Sequence, residues 1–369
     1  MRFLVITDAP TLKKEGHYTA YAPYVKEMDI WFGYVNEVTI ISPTSYGQKL
    51  LLSPFKKVPK VISVPALHFI SFYSVLKSMV LLPWLSYRLL VAMYKTDHIH
   101  LRCPGNIGLL GCFVQAFFPK KIKTAKYAGN WDTNAKQPLS YKLQKWILSN
   151  TFLTKNMTVL VYGAWENQSK NIKPFFTASY FDTEIKKPKE RHYNGTLRFV
   201  FIGSLVYGKR PLLAIKTVEA LVKQGQKVSL ELYGDGVLRL ELEQYVSDNQ
   251  LETFVVLKGN QDKEIIKKTL QEAHFLMLFS KSEGWPKAVA EAMFFGTIPI
   301  ATRVSCVPYM LDYGKRGILV ASNLEAILNE INTHLKNQEA LKRMSEAALN
   351  WSQNYTLDVF ETAVSKLLN

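Results

Sequence analysis

The chain has 369 residues, 48% of them apolar and 21% charged, which is enough for two globular domains with separate cores. Its formal charge is +16, and the three cysteines, Cys103, Cys112 and Cys306, show no CxxC or Cys/His ligand spacing. That pattern excludes a zinc finger and a disulfide framework and points to a reducing compartment. The excess charge is confined to one half. Residues 1–200 carry 27 Lys and Arg against 11 Asp and Glu, whereas residues 201–369 carry 19 of each. A basic half suits nucleic acid or an anionic membrane surface. No RNA-binding or helix-turn-helix signature accompanies these charges, so the membrane surface is the expected partner and nucleic acid is not.

In chain order, 2–7 (RFLVIT) reads as a first strand rather than a signal peptide, followed by a polar loop from Pro10 to His17. A helix is predicted over 18–32 and a strand over 37–42. Further strands are predicted at 60–64, 98–102, 122–127 and 157–162, with helices near 69–95, 105–117 and 139–150. The segment 69–95 is the most hydrophobic of the chain. Lys77, Pro83 and Arg88 interrupt it, and only ten residues separate the two cations, too few to span a bilayer. It reads equally as an interfacial helix or as a core helix under a sheet. Residues 183–196 are charged and irregular and read as a linker. Strands then follow at 197–203, 227–233, 253–258, 274–279 and 298–302, with helices at 209–224, 237–250, 262–272 and 286–295 and a helical tail over 339–369. Continuous apolar strands alternating with helices imply doubly wound parallel sheets. The expected organisation is an α/β protein of two Rossmann-like domains, 1–182 and 197–352.

Two segments carry the chemistry. In the first, Ser282-Glu283-Gly284-Trp285-Pro286-Lys287-Ala288-Val289-Ala290-Glu291-Ala292-Met293-Phe294-Phe295-Gly296, a Gly/Pro loop runs into an apolar helix. Pro286 suits the first turn and Gly296 the C-terminal end. Glu291 in so apolar a helix needs a hydrogen-bonding partner, and hydroxyls of a ligand would supply one. The N–H groups of the first turn suit an anionic or hydroxyl-rich ligand. The bland alternative is a surface helix with two solvated glutamates. In the second segment, Phe201-Ile202-Gly203-Ser204-Leu205-Val206-Tyr207-Gly208-Lys209-Arg210-Pro211, two cations stand at a helix start, where they oppose the helix dipole. A bound diphosphate would account for them. Gly203 permits close approach of a ligand to the backbone.

The Glu-x7-Glu arrangement, followed by Gly296-Thr297-Ile298-Pro299-Ile300-Ala301-Thr302, resembles the retaining glycosyltransferases of family 4, which have the GT-B fold: two Rossmann-like domains facing each other across a cleft. The resemblance is strongest over 197–302. It implies that Glu283 lies by the donor sugar and diphosphate, that Glu291 binds the nucleotide ribose, and that Lys209 holds the diphosphate. Ser204 stands where the family usually has an arginine, and Arg210 is the candidate replacement. The donor contacts implied are Gly203, Ser204, Gly284, Trp285, Pro286, Lys287, Ala288 and Glu291. Tyr233, Gly234, Lys258 and Gly259, at strand ends, are expected near the base. The family lacks a paired-Asp metal motif, and this chain has no Asp-x-Asp, so no metal or other cofactor is expected. Charge on the leaving group would be met by Lys209, Arg210 and loop N–H groups.

On the acceptor side the resemblance points to Gly16 and His17, where the family has a Gly-rich loop, and to Asn130 or Asp132, where many members have a sugar-contacting histidine. Arg102, at a strand end, is a candidate for touching an acceptor or a phosphate. The last helix, about 353–369, is expected to complete the first domain, as in the family. The implied activity is retaining transfer from a nucleotide-sugar to a glycan or a polyprenyl-diphosphate-linked acceptor in capsule, O-antigen or exopolysaccharide synthesis. It would proceed by a front-face reaction, on a cytoplasmic protein peripheral to the inner face of the membrane. An epimerase or phosphorylase of the same fold, or a non-catalytic partner subunit, stays open at this point.

Overall fold

A computed structural model describes residues 1–45, 51–69, 71–186 and 189–368. The chain forms two compact units, Met1–Phe176 with Phe360–Asn369, and Thr177–Val359.

The sheet of the first unit has seven strands in the order Ile172–Phe175, Met157–Tyr162, Ile122–Tyr127, His98–Cys103, Arg2–Ile6, Glu37–Ser42, Lys60–Ser63. All neighbours pair in parallel. The central strands are buried along nearly their whole length; Arg2–Ile6 is a continuous apolar run after Arg2, whereas His98–Cys103 alternates His98, His100 and Arg102 with Ile99, Leu101 and Cys103. The helices Phe72–Tyr94, Asn106–Val114 and Leu139–Ser149 pack in succession, each against the next. A second, three-stranded antiparallel sheet joins Leu12–Lys14, His17–Tyr21 and Leu52–Pro54. This corrects the expected polar loop and the expected start of the first helix at residue 18, which begins instead at Ala22.

The sheet of the second unit has six parallel strands in the order Val255–Gly259, Val228–Tyr233, Leu197–Ile202, Phe275–Leu278, Ile298–Thr302, Ile318–Val320. The chain leaves Leu197–Ile202 toward one edge and returns on its other side at Phe275–Leu278. The loops after these two strands therefore flank a point where the strand order reverses, which is where open α/β sheets bind ligands.

Residues 183–196, expected as a linker, belong to this unit. Tyr193 is part of its core, and the Arg191 guanidinium donates to the carbonyls of Leu270, Ala273 and Phe295 at 3.0, 2.8 and 2.8 Å. Among the described residues of this stretch Arg191 and Tyr193 are buried and act as its brace, while most of the others are exposed. The last helix, Leu357–Leu368, begins in the second unit and has all but its first residues in the first.

Candidate active site

The loop after Leu197–Ile202 and the loop after Phe275–Leu278 are locked together. Lys281 N–H donates to the Gly208 carbonyl at 2.8 Å, and Arg210 Nη1 reaches the Phe279 carbonyl at 3.5 Å. Between them, Lys209 Nζ lies 2.5 Å from Glu283 Oε1. The Glu283 side chain is 8% exposed and that of Lys209 29%, so the pair sits at the floor of the loops with the ammonium on the open side. The Glu283 main-chain N–H donates to Ser305 Oγ at 3.0 Å, and Thr302 Oγ1 donates to the Ser280 carbonyl at 2.6 Å. Cys306 Sγ donates to the Gly284 carbonyl at 2.9 Å. Burial pushes the Cys306 thiol pKa up, and the Glu283 charge adds to that, so this cysteine is a neutral hydrogen-bonding group.

Arg210 is the N-cap of the helix Pro211–Lys223 and adopts φ 53°, ψ 51°. A left-handed arginine costs on the order of 1 kcal/mol, and this strain sits beside the candidate site. Gly203, Ser204 and Gly208 open the same loop, with Ser204 exposed. Gly234 and Gly236 have a packing role. A Cβ on Gly234 would lie 2.0 Å from the Gly203 carbonyl oxygen, and one on Gly236 would lie 2.5 Å from that of Leu205. The hydrogen bonds Gly203 N–H to Tyr233 O and Leu205 N–H to Asp235 O hold the two loops at that distance.

The helix Lys287–Phe294 starts after Pro286, its N-cap, and Gly296 follows its end with φ +75°. Its first N–H groups, from Lys287 and Ala288, have no intrahelical acceptor and sit close after Glu283. Glu291 is half-buried, and Ser179 Oγ lies 2.5 Å from its Oε1. A protein hydroxyl thus supplies a hydrogen bond that the sequence reading assigns to a ligand. Ser305 and Ser179 are the site residues that sequence reasoning misses. No local pattern marks either one, because each meets its partner only through the fold.

Several expected site residues are engaged elsewhere. Trp285 is buried with its ring 6.1 Å from Trp351 and 5.9 Å from Tyr355, in a packed aromatic cluster rather than open to a ligand. The Tyr233 hydroxyl is tied to Glu231 Oε2 at 2.8 Å and Thr269 Oγ1 at 2.9 Å. Lys258 Nζ lies 3.3 Å from Glu231, and Gly259 O accepts from Gly234 N–H. These four residues close the strand ends on themselves.

In the first unit, Gly16 follows Glu15 in a two-residue hairpin turn with φ 49° and 82°, and His17 pairs across the strands with Lys14. The glycine is there because such a turn needs positive φ. Asn130 Oδ1 accepts from Asp132 N–H and Asp132 Oδ1 from Asn134 N–H, both at 2.8 Å, so both residues shape their own loop.

Arg102 is half-buried and pairs with Glu27, which also holds Lys126 at 3.1 Å. Burial works against the Arg102 charge, but Glu27, together with Tyr162 and Tyr24, outweighs it and holds the guanidinium pKa above its ordinary value. The guanidinium is engaged by Glu27. His98 and His100 share the Thr124 hydroxyl at 2.9 and 2.8 Å, and burial lowers both pKa values, that of His98 to about 4. They are neutral packing residues at pH 7. Among the described residues, no three His, Cys, Asp or Glu side chains cluster as metal ligands.

The two Rossmann-like units have the GT-B fold. Residues 182–351 match the family model of glycosyl transferases group 1. The chain is 29% identical over 150 residues to an amylovoran biosynthesis glycosyltransferase of Erwinia amylovora, covering 39% of this chain and 37% of that one. It is 25% identical over 234 residues to the poly(ribitol-phosphate) alpha-N-acetylglucosaminyltransferase of Staphylococcus aureus, covering 62% and 46%. The chain thus spans half or less of the length of such relatives. A lipopolysaccharide outer core galactosyltransferase superposes with TM-score 0.69 at 14% identity, over 100% of this chain and 99% of that one. Anabaena HepE bound to UDP superposes with TM-score 0.68 at 13% identity, over 99% and 98%.

Proposed function

We propose that the protein is a retaining, metal-independent glycosyltransferase of the family 4 type. It moves a sugar from a nucleotide-sugar to a glycan or lipid-linked acceptor in bacterial surface polysaccharide synthesis. The observation that carries this reading is the Lys209–Glu283 pair, fixed by two interlocked loops at the point where the strand order reverses.

In the reaction, Lys209 stays held by Glu283 and presents its charge to the donor diphosphate, where it meets the negative charge that builds on the leaving oxygen. Glu283 keeps the ammonium in place and lies beside the sugar. The N–H groups of Lys287 and Ala288 add donors to the diphosphate, and Arg210 supplies the second cation from the adjoining loop. Glu291, oriented by Ser179, accepts from the ribose hydroxyls. The leaving oxygen takes the acceptor proton, so the protein supplies no strong base.

Relatives named as an alpha-glucosyltransferase and an alpha-N-acetylglucosaminyltransferase agree with retention from an alpha-linked donor. Two proteins of the same fold hold UDP, so UDP-sugars are the first donors to screen. An anionic membrane surface at the cytoplasmic side is the proposed seat, since polyprenyl-linked acceptors lie there.

Stabilisation by one class of nucleotide-sugar in a thermal-shift series against UDP, GDP and ADP sugars tests donor binding. The expected result is a concentration-dependent rise with one nucleotide, and no rise with any of the three removes the proposal. Glu291→Ala should raise the donor KM about tenfold with kcat nearly unchanged, because ribose contacts are alike in ground and transition states. An unchanged KM would detach Glu291 from the donor. Turnover should persist in excess EDTA. Loss of turnover that Mg or Mn restores would show that the reaction needs a metal.

A further inference from the structure

The first unit carries an apolar surface that its own core does not use. The helix Phe72–Tyr94 has 23 residues and is long and apolar enough, by length and composition, to cross a membrane. Its second half cannot do so, because Leu85, Leu89 and Met93 are buried in the core of the unit. Its first half projects instead. Phe72, Tyr73, Leu76, Met79 and Val80 are 54–87% exposed, and Trp84 and Tyr87 continue the stripe at helical spacing. This half is held in place. Ser71 and Ser74 form a capping box, and Ser78 Oγ bonds both the N–H and the carbonyl of His68.

The two helices next in the layer repeat the pattern. Phe113 and Phe117 are exposed on the segment that follows, as are Leu139, Leu143 and Trp146 on the helix after it. Spacings of three and four residues put each set on one outward face. A monomeric protein in water seldom leaves so much contiguous apolar surface open.

The charge on this layer has one sign. Between residues 69 and 156 the only acids are Asp97 and Asp132, against twelve Lys and Arg. Asp97 is paired with Arg2, and none of the three helices contains an acid. Lys77, Lys120, Lys142 and Lys155 are exposed. Arg88 lies 5.0 Å over the Trp84 ring and Lys155 lies 5.3 Å over the Phe152 ring. Aromatic rings bordered by long cationic side chains suit the headgroup boundary of a bilayer.

We propose that the outward faces of these three helices form one docking surface for an anionic lipid leaflet, on which the protein lies without crossing. A second copy of the chain fits less well, because a symmetric contact would set the same unbalanced cations against each other, whereas anionic lipid neutralises them. The choice of partner continues the membrane reading above, but the surface owes nothing to the reaction assigned.

The test is co-sedimentation of the full chain with vesicles of phosphatidylglycerol and phosphatidylethanolamine, and with phosphatidylcholine alone, at low salt. Binding to the anionic vesicles should be at least about tenfold stronger and should weaken with salt. The double substitution Leu76→Asp, Val80→Asp should reduce it about tenfold or more, with an unchanged melting temperature as the folding control. Leu240→Asp, at an equally open apolar position of the other unit, should leave it unchanged. The proposal is overturned if the parent chain stays in the supernatant, or if the double variant sediments like the parent. A dimer in sedimentation velocity that the double substitution dissociates would assign the face to a second copy and also overturn it. No donor or turnover enters this measurement, so its failure leaves the transferase reading standing, and the reverse holds.

Discussion

Lys209→Ala should lower kcat by about 100-fold or more, equivalent to about 2.7 kcal/mol of transition-state stabilisation, while the donor KM moves little. The asymmetry follows from where the charge grows. The diphosphate is already anionic in the bound donor, but the oxygen that leaves the sugar gains its charge only as the bond breaks. A fixed ammonium acts on that difference. Lys209 is placed to do so, because Glu283 anchors it at 2.5 Å and the Glu283 N–H is itself anchored on Ser305.

Removing the lysine also leaves Glu283, 8% exposed, without its cation. The melting temperature must therefore be followed alongside the kinetics, and Lys209→Arg serves as the charge-preserving control. Equal turnover in Lys209→Ala and the parent protein would remove the diphosphate assignment.

Glu27→Ala should destabilise the protein by about 3–5 kcal/mol, the usual result of stripping the one acid from a buried ion cluster. Glu27 lies on the buried side of the helix Ala22–Gly33 and holds both Arg102 and Lys126. Lys126 is 1% exposed, and its ammonium rests about equally over the rings of Tyr162, Phe175 and Phe360 and donates to the Phe176 carbonyl at 3.2 Å. Without Glu27, Arg102 and Lys126 lose the acid that both contact. Urea unfolding monitored by tryptophan fluorescence measures the loss. A drop below about 1 kcal/mol would mean that water reaches the cluster and that it is not closed.

The sheets were legible because their strands are covered on both faces. Ile298–Thr302 is buried at all five positions and reads as an unbroken apolar run. Ile172–Phe175 escaped because Lys173 and Pro174 face outward on an edge strand, and Ile318–Val320 because three residues carry no period. The hairpin at Glu15-Gly16 lacks the Asn-Gly or Asp-Gly pair that announces such turns.

In the site, Lys209 stood out because a cation before a helix start is electrostatically misplaced without an anion, and Glu283 because a Gly-aromatic-Pro loop surrounds it. Ser305 and Ser179 gave no signal, since each partner lies 22 or 112 residues away. The Arg102 ion pair was not legible because Glu27, next to Lys26, resembles any solvated helix charge. The packing of the Trp285 ring on Trp351 was not legible, because an aromatic beside a glycine carries no mark of its distant partner.

The ring of Phe360 that covers Lys126 comes from the last helix, nearly two hundred residues after the rest of that cluster. During synthesis on the ribosome, the half of the molecule made first therefore waits longest for its final piece. Until residue 360 appears, Lys126 lacks one of the three rings that lie under its ammonium in the finished fold.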